Sequence, residues 1–315
     1  MNLTNRQTTE SYVSAKLDSS SLPSPKGSSF CWSLAAILKT LGKEISRVDV
    51  RGYSLSAFSI WAHPEQDIKL WQEPFAHLFF SQLLDALGVH GELLCLPDDT
   101  DDHLGYFLSH WASRVRTYLL EGIPVGVMEV WPESLWGIVT DWHPEQRVLK
   151  GYMPGRRGKI TNRCWPKSLL LIGKKPVKPG SQPCLAETLR NVSRLGSNGL
   201  QRNDWASGLD AYLIWKDKAE EAFDYLVEEH SRLARNLAQA RRHAASFLSR
   251  HADLGMQGTD RMMHSLARRY KRISEHLTEA AQAQRKLPFI RSLTYAIAEE
   301  EKALAMVDEL LVRLD

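Results

Sequence analysis

The apolar positions of this chain change their period along its length. From Ser28 to Gly42 the period is helical: Leu34, Leu38 and Leu41 recur at three- and four-residue steps, with Ala35, Ala36 and Ile37 between them. Ser28 and Ser29 can cap this helix and Gly42 can end it. A helix that is apolar on most sides belongs in a core. Phe75, Leu78, Phe79, Leu83, Ala86 and Leu87 mark a second, amphipathic helix, and His103 to Glu121 a third that Gly122 stops. Glu92 to Leu96 reads as a short strand between them.

Beyond Gly122 the period falls to two. Pro124–Val130, Leu135–Thr140, Arg147–Tyr152 and Ser168–Ile172 are strand-like, and Trp142–Gln146 has turn chemistry suited to a hairpin. Helices followed by antiparallel strands predict an α+β domain. Lys174 to Pro183 has the composition of a linker. After it every pattern is helical and no strand is expected. A shorter helix runs from about Trp205 to Trp215. Three apolar seams follow, through Phe223–Phe247, Met263–Ala280 and Ile290–Leu314, broken near Gly255 and Gly258. Such seams predict long helices packed nearly antiparallel in a bundle. The expected plan is a flexible segment over 1–27, an α+β domain over 28–173, a linker over 174–203 and a helical bundle over 204–315.

A length of 315 residues suits two domains of ordinary size. The net charge of +3 is too weak to argue for a nucleic-acid partner. No apolar run reaches the roughly 18 residues of a membrane helix. Met1 to Lys26 is polar and lacks the apolar stretch of a secretory signal, so a cytoplasmic protein is expected. The four cysteines, Cys31, Cys95, Cys164 and Cys184, show neither a CxxC pair nor metal-ligand spacing. Reduced thiols, no metal and no other cofactor are therefore expected.

Cys31 is the first candidate for chemistry. A cysteine in the opening turn of a helix meets unpaired backbone N–H groups and the positive end of the dipole, and both favour a nucleophilic thiolate. The plain alternative is a packed thiol. The amide of Cys31 is a candidate oxyanion-type donor. Ser29 and Trp32 flank it as candidate substrate contacts, although Trp32 also fits as a core wedge. His77 and His143 are candidate bases, each with a solvated alternative. Glu129, within an apolar strand, either points to the solvent face or meets Cys31, where it would hold a substrate amine or act as a base. Glu133 lies just before the next strand. His230 and Glu300 sit on bundle seams, but without the Glu-x-x-His spacing of a di-iron site, so a buried polar pair between them is expected. Arg156, Arg157 and Lys159 form a basic group that is either solvated or an anion contact.

Ser29-Phe30-Cys31-Trp32-Ser33-Leu34-Ala35 resembles the nucleophile helix of papain-like cysteine peptidases. The wider order resembles the family named for the butirosin biosynthesis protein H N-terminal domain. It comprises the helix ending Leu41-Gly42, then Gly52-Tyr53-Ser54-Leu55-Ser56-Ala57-Phe58, Gly122-Ile123-Pro124-Val125-Gly126-Val127 and Leu135-Trp136-Gly137-Ile138-Val139-Thr140-Asp141-Trp142. The match spans about Ser28 to Ile172, and the helical tail resembles tails on several bacterial members. The resemblance implies a papain-like fold and cysteine-dependent acyl transfer or amide-bond chemistry, in natural-product or peptide metabolism. The founding member moves an acyl group from a carrier protein to an aminoglycoside amine, so an acyl carrier protein and a small amine acceptor are the implied partners.

One departure cuts against that activity. Papain-like enzymes carry a histidine at the start of the strand that here reads Leu135-Trp136-Gly137, and neither Leu135 nor Trp136 accepts a proton. Trp136 becomes instead a candidate substrate contact. No Asp or Asn orienter stands near Tyr152-Met153-Pro154. Three classes of function follow, in this order: an acyl-transfer enzyme with Cys31 as nucleophile; a catalytically inactive papain-like domain that binds a ligand or partner; and an interaction or oligomerisation module working through the helical half.

Overall fold

A computed structural model describes residues 12–15, 17, 22–23, 28–65, 70–71, 79–97, 100–130, 135–176, 183–197, 205–252 and 259–314. In chain order the elements are β1 (Val13–Ser14), α1 (Ser29–Thr40), α2 (Arg47–Tyr53), β2 (Trp61–Ala62), β3 (Leu70–Trp71), α3 (Phe80–Leu87), β4 (Val89–Cys95), α4 (His103–Tyr106), a π-helical turn (Phe107–Trp111), α5 (Ala112–Leu120), β5 (Val125–Met128), β6 (Trp136–His143), β7 (Val148–Tyr152), β8 (Ile160–Asn162), β9 (Ser168–Pro176), α6 (Pro183–Gly196), β10 (Ala206–Ser207), α7 (Gly208–Ala222), a 3-10 turn (Phe223–Tyr225), α8 (Val227–Ala252), α9 (Asp260–Gln282) and α10 (Lys286–Leu314). The fold is α+β, with an antiparallel sheet and a helical C-terminal region. The chain divides into two units, Met1–Ile45 with Val89–Pro176 and Ser46–Gly88 with Val177–Asp315.

The first unit is built on a seven-stranded sheet in the order β4-β9-β5-β6-β7-β8, with β1 also on β6. The strand β6 is buried from Trp136 to Trp142, so both of its faces are covered. Ser29 to Leu38 of α1 are all buried, and the helix lies against β6, β5 and β9. Val125, Val127, Val139, Leu169 and Leu171 share a core with Phe107, Trp111, Val115 and Leu119. Thr140 is an extra residue in β6, because the register with β7 shifts between Val139 and Asp141. Beside this bulge a Cβ on Gly151 would stand 1.9 Å from the carbonyl oxygen of Ile138, so only glycine fits there.

Two expectations change in this unit. The segment expected to be flexible contains β1, which pairs with the far half of β6, Val13 opposite Trp142 and Ser14 opposite Asp141. The expected turn at Trp142 starts later: Trp142 and His143 belong to β6, and the turn closes with the Arg147 N–H on the Pro144 carbonyl. Trp142, 2 % exposed, is held in the strand by its burial.

The second unit contains α6 to α10 with α2, α3 and a small sheet in the order β10-β2-β3. The long helices α8, α9 and α10 follow the apolar seams, with Leu237, Phe247, Leu266, Tyr270, Ile273, Leu293 and Val307 in one core. Residues 46–88, expected within the first domain, pack here instead. A Cβ on Gly52 of α2 would stand 2.1 Å from the ring of Phe247 in α8, and Arg241 of α8 donates to the carbonyls of Ala57 and Ser59 at 3.0 and 3.4 Å. A strand also follows the expected linker: Ala206 of β10 pairs with Ala62 of β2. The linker span itself carries the end of β9 and all of α6, while 177–182 and 198–204 lie outside the described residues. Among the described residues no helix is long and apolar enough to cross a membrane.

Candidate functional site

Ser28 caps α1, and its side-chain oxygen accepts the Cys31 N–H at 3.1 Å. The Cys31 amide therefore has a partner and is not the open oxyanion-type donor expected from its position. Next along, the Ser29 hydroxyl oxygen accepts the backbone N–H of Trp136 at 3.1 Å, which ties the start of α1 to the start of β6. The Phe30 and Trp136 rings meet edge to face at 5.4 Å. The Trp32 indole N–H donates to the Pro23 carbonyl at 2.8 Å. All of these side chains are buried, Ser29 and Trp136 at 5 %, Cys31 at 4 % and Trp32 at 3 % exposure. The joint is one of helix to sheet, and its side chains are those expected to meet a substrate.

The remaining candidates lie elsewhere or beyond description. His77 and Glu133 fall outside the described residues. Glu129 follows the last residue of β5 with φ +59°, the left-handed region, and its carboxylate pairs with the Lys167 ammonium at 2.9 Å. Holding a non-glycine residue there costs energy that the surrounding contacts must supply, and the Lys167 N–H on the Met128 carbonyl at 3.1 Å is one of them. His143 ends β6, and its ring lies against Tyr12 with centroids 4.3 Å apart. Burial lowers the His143 pKa and Lys150 lowers it further, with Asp141 opposing them, so the ring favours its neutral form.

At that far end of β6 the structure builds a polar centre the candidate set omits. Asp141, 1 % exposed, accepts the hydroxyls of Tyr12, Ser14 and Thr140 and the ammonium of Lys159, the latter three at 2.7, 2.6 and 2.6 Å. Burial alone would raise its carboxyl, but the bonds from Lys159, Thr140, Tyr12 and Ser14 outweigh that and hold it at about 2. Lys159 is shifted the other way: burial opposes its charge, Asp141 more than compensates, and its pKa is raised. It also stands 5.9 Å from the centre of the Tyr152 ring. Lys159 thus leaves the basic group read with Arg156 and Arg157, both of which are exposed. A lone carboxylate in an apolar strand that includes Trp136 and Trp142 is the signal that marks this centre in the sequence.

A second polar centre lies inside the second unit. The expected His230–Glu300 pair does not form. The Trp215 indole N–H donates to His230 Nδ1 at 3.0 Å, while Glu300 takes Arg241 at 2.8 Å and the Tyr212 hydroxyl at 3.1 Å. Burial lowers the His230 pKa to about 4, so the imidazole is neutral and acts as an acceptor for Trp215. Arg241 is fully buried, and the attraction of Glu300 outweighs burial to keep its charge. This arrangement satisfies charges within a core and fixes the register of α7, α8 and α10. Among the described residues no group of three or more His, Cys, Asp or Glu side chains is placed to hold a metal ion. No family model and no curated protein matches the chain.

Proposed function

We propose that the first unit is a papain-like domain that has lost cysteine catalysis and serves as a ligand- or partner-binding module. The observation carrying this reading is Trp136. It occupies the strand position where papain-like enzymes keep their base, it is buried, and its backbone N–H donates to the hydroxyl oxygen of Ser29, two residues from Cys31. An indole cannot take the thiol proton. The burial of Cys31 and the capped state of its amide point the same way.

Acyl transfer through Cys31 is the second reading, with an acyl carrier protein and a small amine as donor and acceptor. It is favoured by one observation: Cys31 lies in the first turn of a 12-residue helix that has no acidic residue in that turn. Iodoacetamide labelling of the native protein at pH 7, followed by peptide mass spectrometry, separates the two. A binding module labels at the exposed Cys95 and Cys164 first and at Cys31 slowest. Labelling of Cys31 ahead of both overturns the binding reading and restores the acyl-transfer one. Cys31→Ser is expected to leave any ligand affinity unchanged while lowering the thermal midpoint, because it buries a hydroxyl in place of a packed thiol.

A further inference from the structure

The two ends of β6 do different things. Ser29 holds its first residue, Trp136; β1 occupies its far half, six residues and about 20 Å along at ~3.3 Å per residue. On that edge β5 covers Trp136 to Val139 and stops, and β1 continues the row against Asp141 and Trp142, with the Ala15 N–H donating to the Thr140 carbonyl at 2.7 Å. The segment Tyr12–Ala15 thus fills a gap that β5 leaves open on a central strand. It does so with alternating side chains. Val13 and Ala15 enter the core, 2 % and 1 % exposed, beside Trp142, Phe107 and Trp111. Tyr12 and Ser14 turn their hydroxyls onto Asp141, and the Tyr12 ring covers His143.

We propose that this gap on β6 is a binding slot for an extended peptide, and that Tyr12–Ala15 is its intramolecular occupant. The slot reads three things. The main-chain polar groups of β6 that β1 now pairs take the hydrogen bonds of the occupant, as when a strand is added to a sheet edge. Two small apolar side chains, two residues apart, fill the pockets that Val13 and Ala15 fill. A hydroxyl side chain between or before them reaches Asp141. Removing the occupant does not strand the carboxylate, because Thr140 and Lys159 still hold Asp141. A slot that keeps its charge balanced when open is one that can exchange its occupant. This proposal goes beyond the reading of Cys31 and is independent of it, since it uses the opposite end of the strand.

Hydrogen exchange on the full chain gives the first test. The Ala15 amide is expected to exchange about 100-fold faster than those of Val127 and Val139, because a two-residue strand opens without the rest of the sheet. Equal protection overturns the proposal. The second test shortens the chain to begin at Lys16 and adds a fluorescent peptide spanning Thr8–Asp18. Binding with a Kd on the order of micromolar is expected. It should weaken at least about tenfold when the peptide carries Val13→Asp, or when the protein carries Asp141→Ala. A shortened chain that keeps its near-ultraviolet circular dichroism but binds neither peptide better than a scrambled one overturns the slot. So does a shortened chain that loses that signal, because Tyr12–Ala15 would then be an integral strand.

Discussion

Asp141 keeps its charge inside a buried strand because donors meet it there, Lys159 and Thr140 first and Tyr12 and Ser14 after them, and this sets a pH dependence of known sign. The unfolded chain takes up its proton near 3.8 and the folded one near 2. The stabilisation is therefore complete above about pH 4 and is lost as pH falls to 2. At ~1.4 kcal/mol per pKa unit it amounts to about 2 kcal/mol. Asp141→Asn should cost the first unit about that much at pH 7, with the difference closing between pH 4 and 2. Denaturant unfolding followed at β6 amides by NMR would measure it, since two units need not unfold together. His230 has the opposite sense. Its folded pKa of about 4 lies below the ordinary 6.5, so between those values the unfolded state binds a proton that the folded state refuses. Through His230 the second unit should lose about 3 kcal/mol as pH falls through that window. His243, on the same helix, is likewise lowered to about 4 by burial and by Arg51, Arg47 and Arg242, so His230→Asn, which keeps an acceptor for Trp215, should remove about half of the slope; an unchanged slope would assign it to other groups. At this scale the sequence shows which residues are out of place, a carboxylate in an apolar strand and a histidine on an apolar seam. It does not show their partners. Trp215, Lys159 and Tyr12 lie at long or unpatterned separations, and only the packing of elements brings them close.

Helix α2 rests so near α8 that its backbone touches an aromatic ring, and the sign of one substitution reports this. In an exposed helix interior Gly→Ala gains about 1 kcal/mol. At Gly52 the added Cβ would stand 2.1 Å from the Phe247 ring, so the helices must part. Gly52→Ala should instead lower stability by about 2 kcal/mol or more, read as a fall in the thermal midpoint of the second unit. A rise would mean that α2 is not packed there. Elements with a long pattern were legible in the sequence: α8, α9 and α10 follow their seams, and β6 and β7 follow their apolar runs on either side of a turn. The two-residue strands β1, β2, β3 and β10 were not, because two residues carry no period and their pairing is decided by a distant strand. The π-helical turn at Phe107–Trp111 was read as plain helix, since one extra residue per turn leaves no mark in a helical pattern. The helix at Cys31 was legible in full. The capped state of its amide was not, although Ser28 was visible as a cap, because whether a cap reaches Cys31 depends on side-chain geometry.

Residues 46–88 interrupt the first unit in sequence and belong to the second in packing, which is why a division at a Pro- and Lys-rich linker placed them in the wrong domain. Their apolar content suits either unit by pattern. What assigns them is specific: Gly52 against Phe247, β2 paired with β10, and the carbonyls of Ala57 and Ser59 on Arg241. The last contact has an energetic consequence. Arg241 is fully buried, and Glu300 supplies its charge balance but accepts at Nε; the Nη1 donor depends on those two carbonyls. A fragment spanning 177–315 would keep the ion pair but lose both acceptors and expose the Phe247 ring. Loss of acceptors for a buried charged donor costs about 1–3 kcal/mol, and uncovering a phenyl ring a further ~2 kcal/mol, a large share of the stability of a domain this size. The fragment should therefore be helical by far-ultraviolet circular dichroism yet lack a cooperative thermal transition and bind a hydrophobic dye. A fragment joining 46–88 to 177–315 through a short Gly/Ser linker should regain the transition. If 177–315 alone melts cooperatively, the helical half is autonomous, and residues 46–88 are a covering of its surface rather than part of its core.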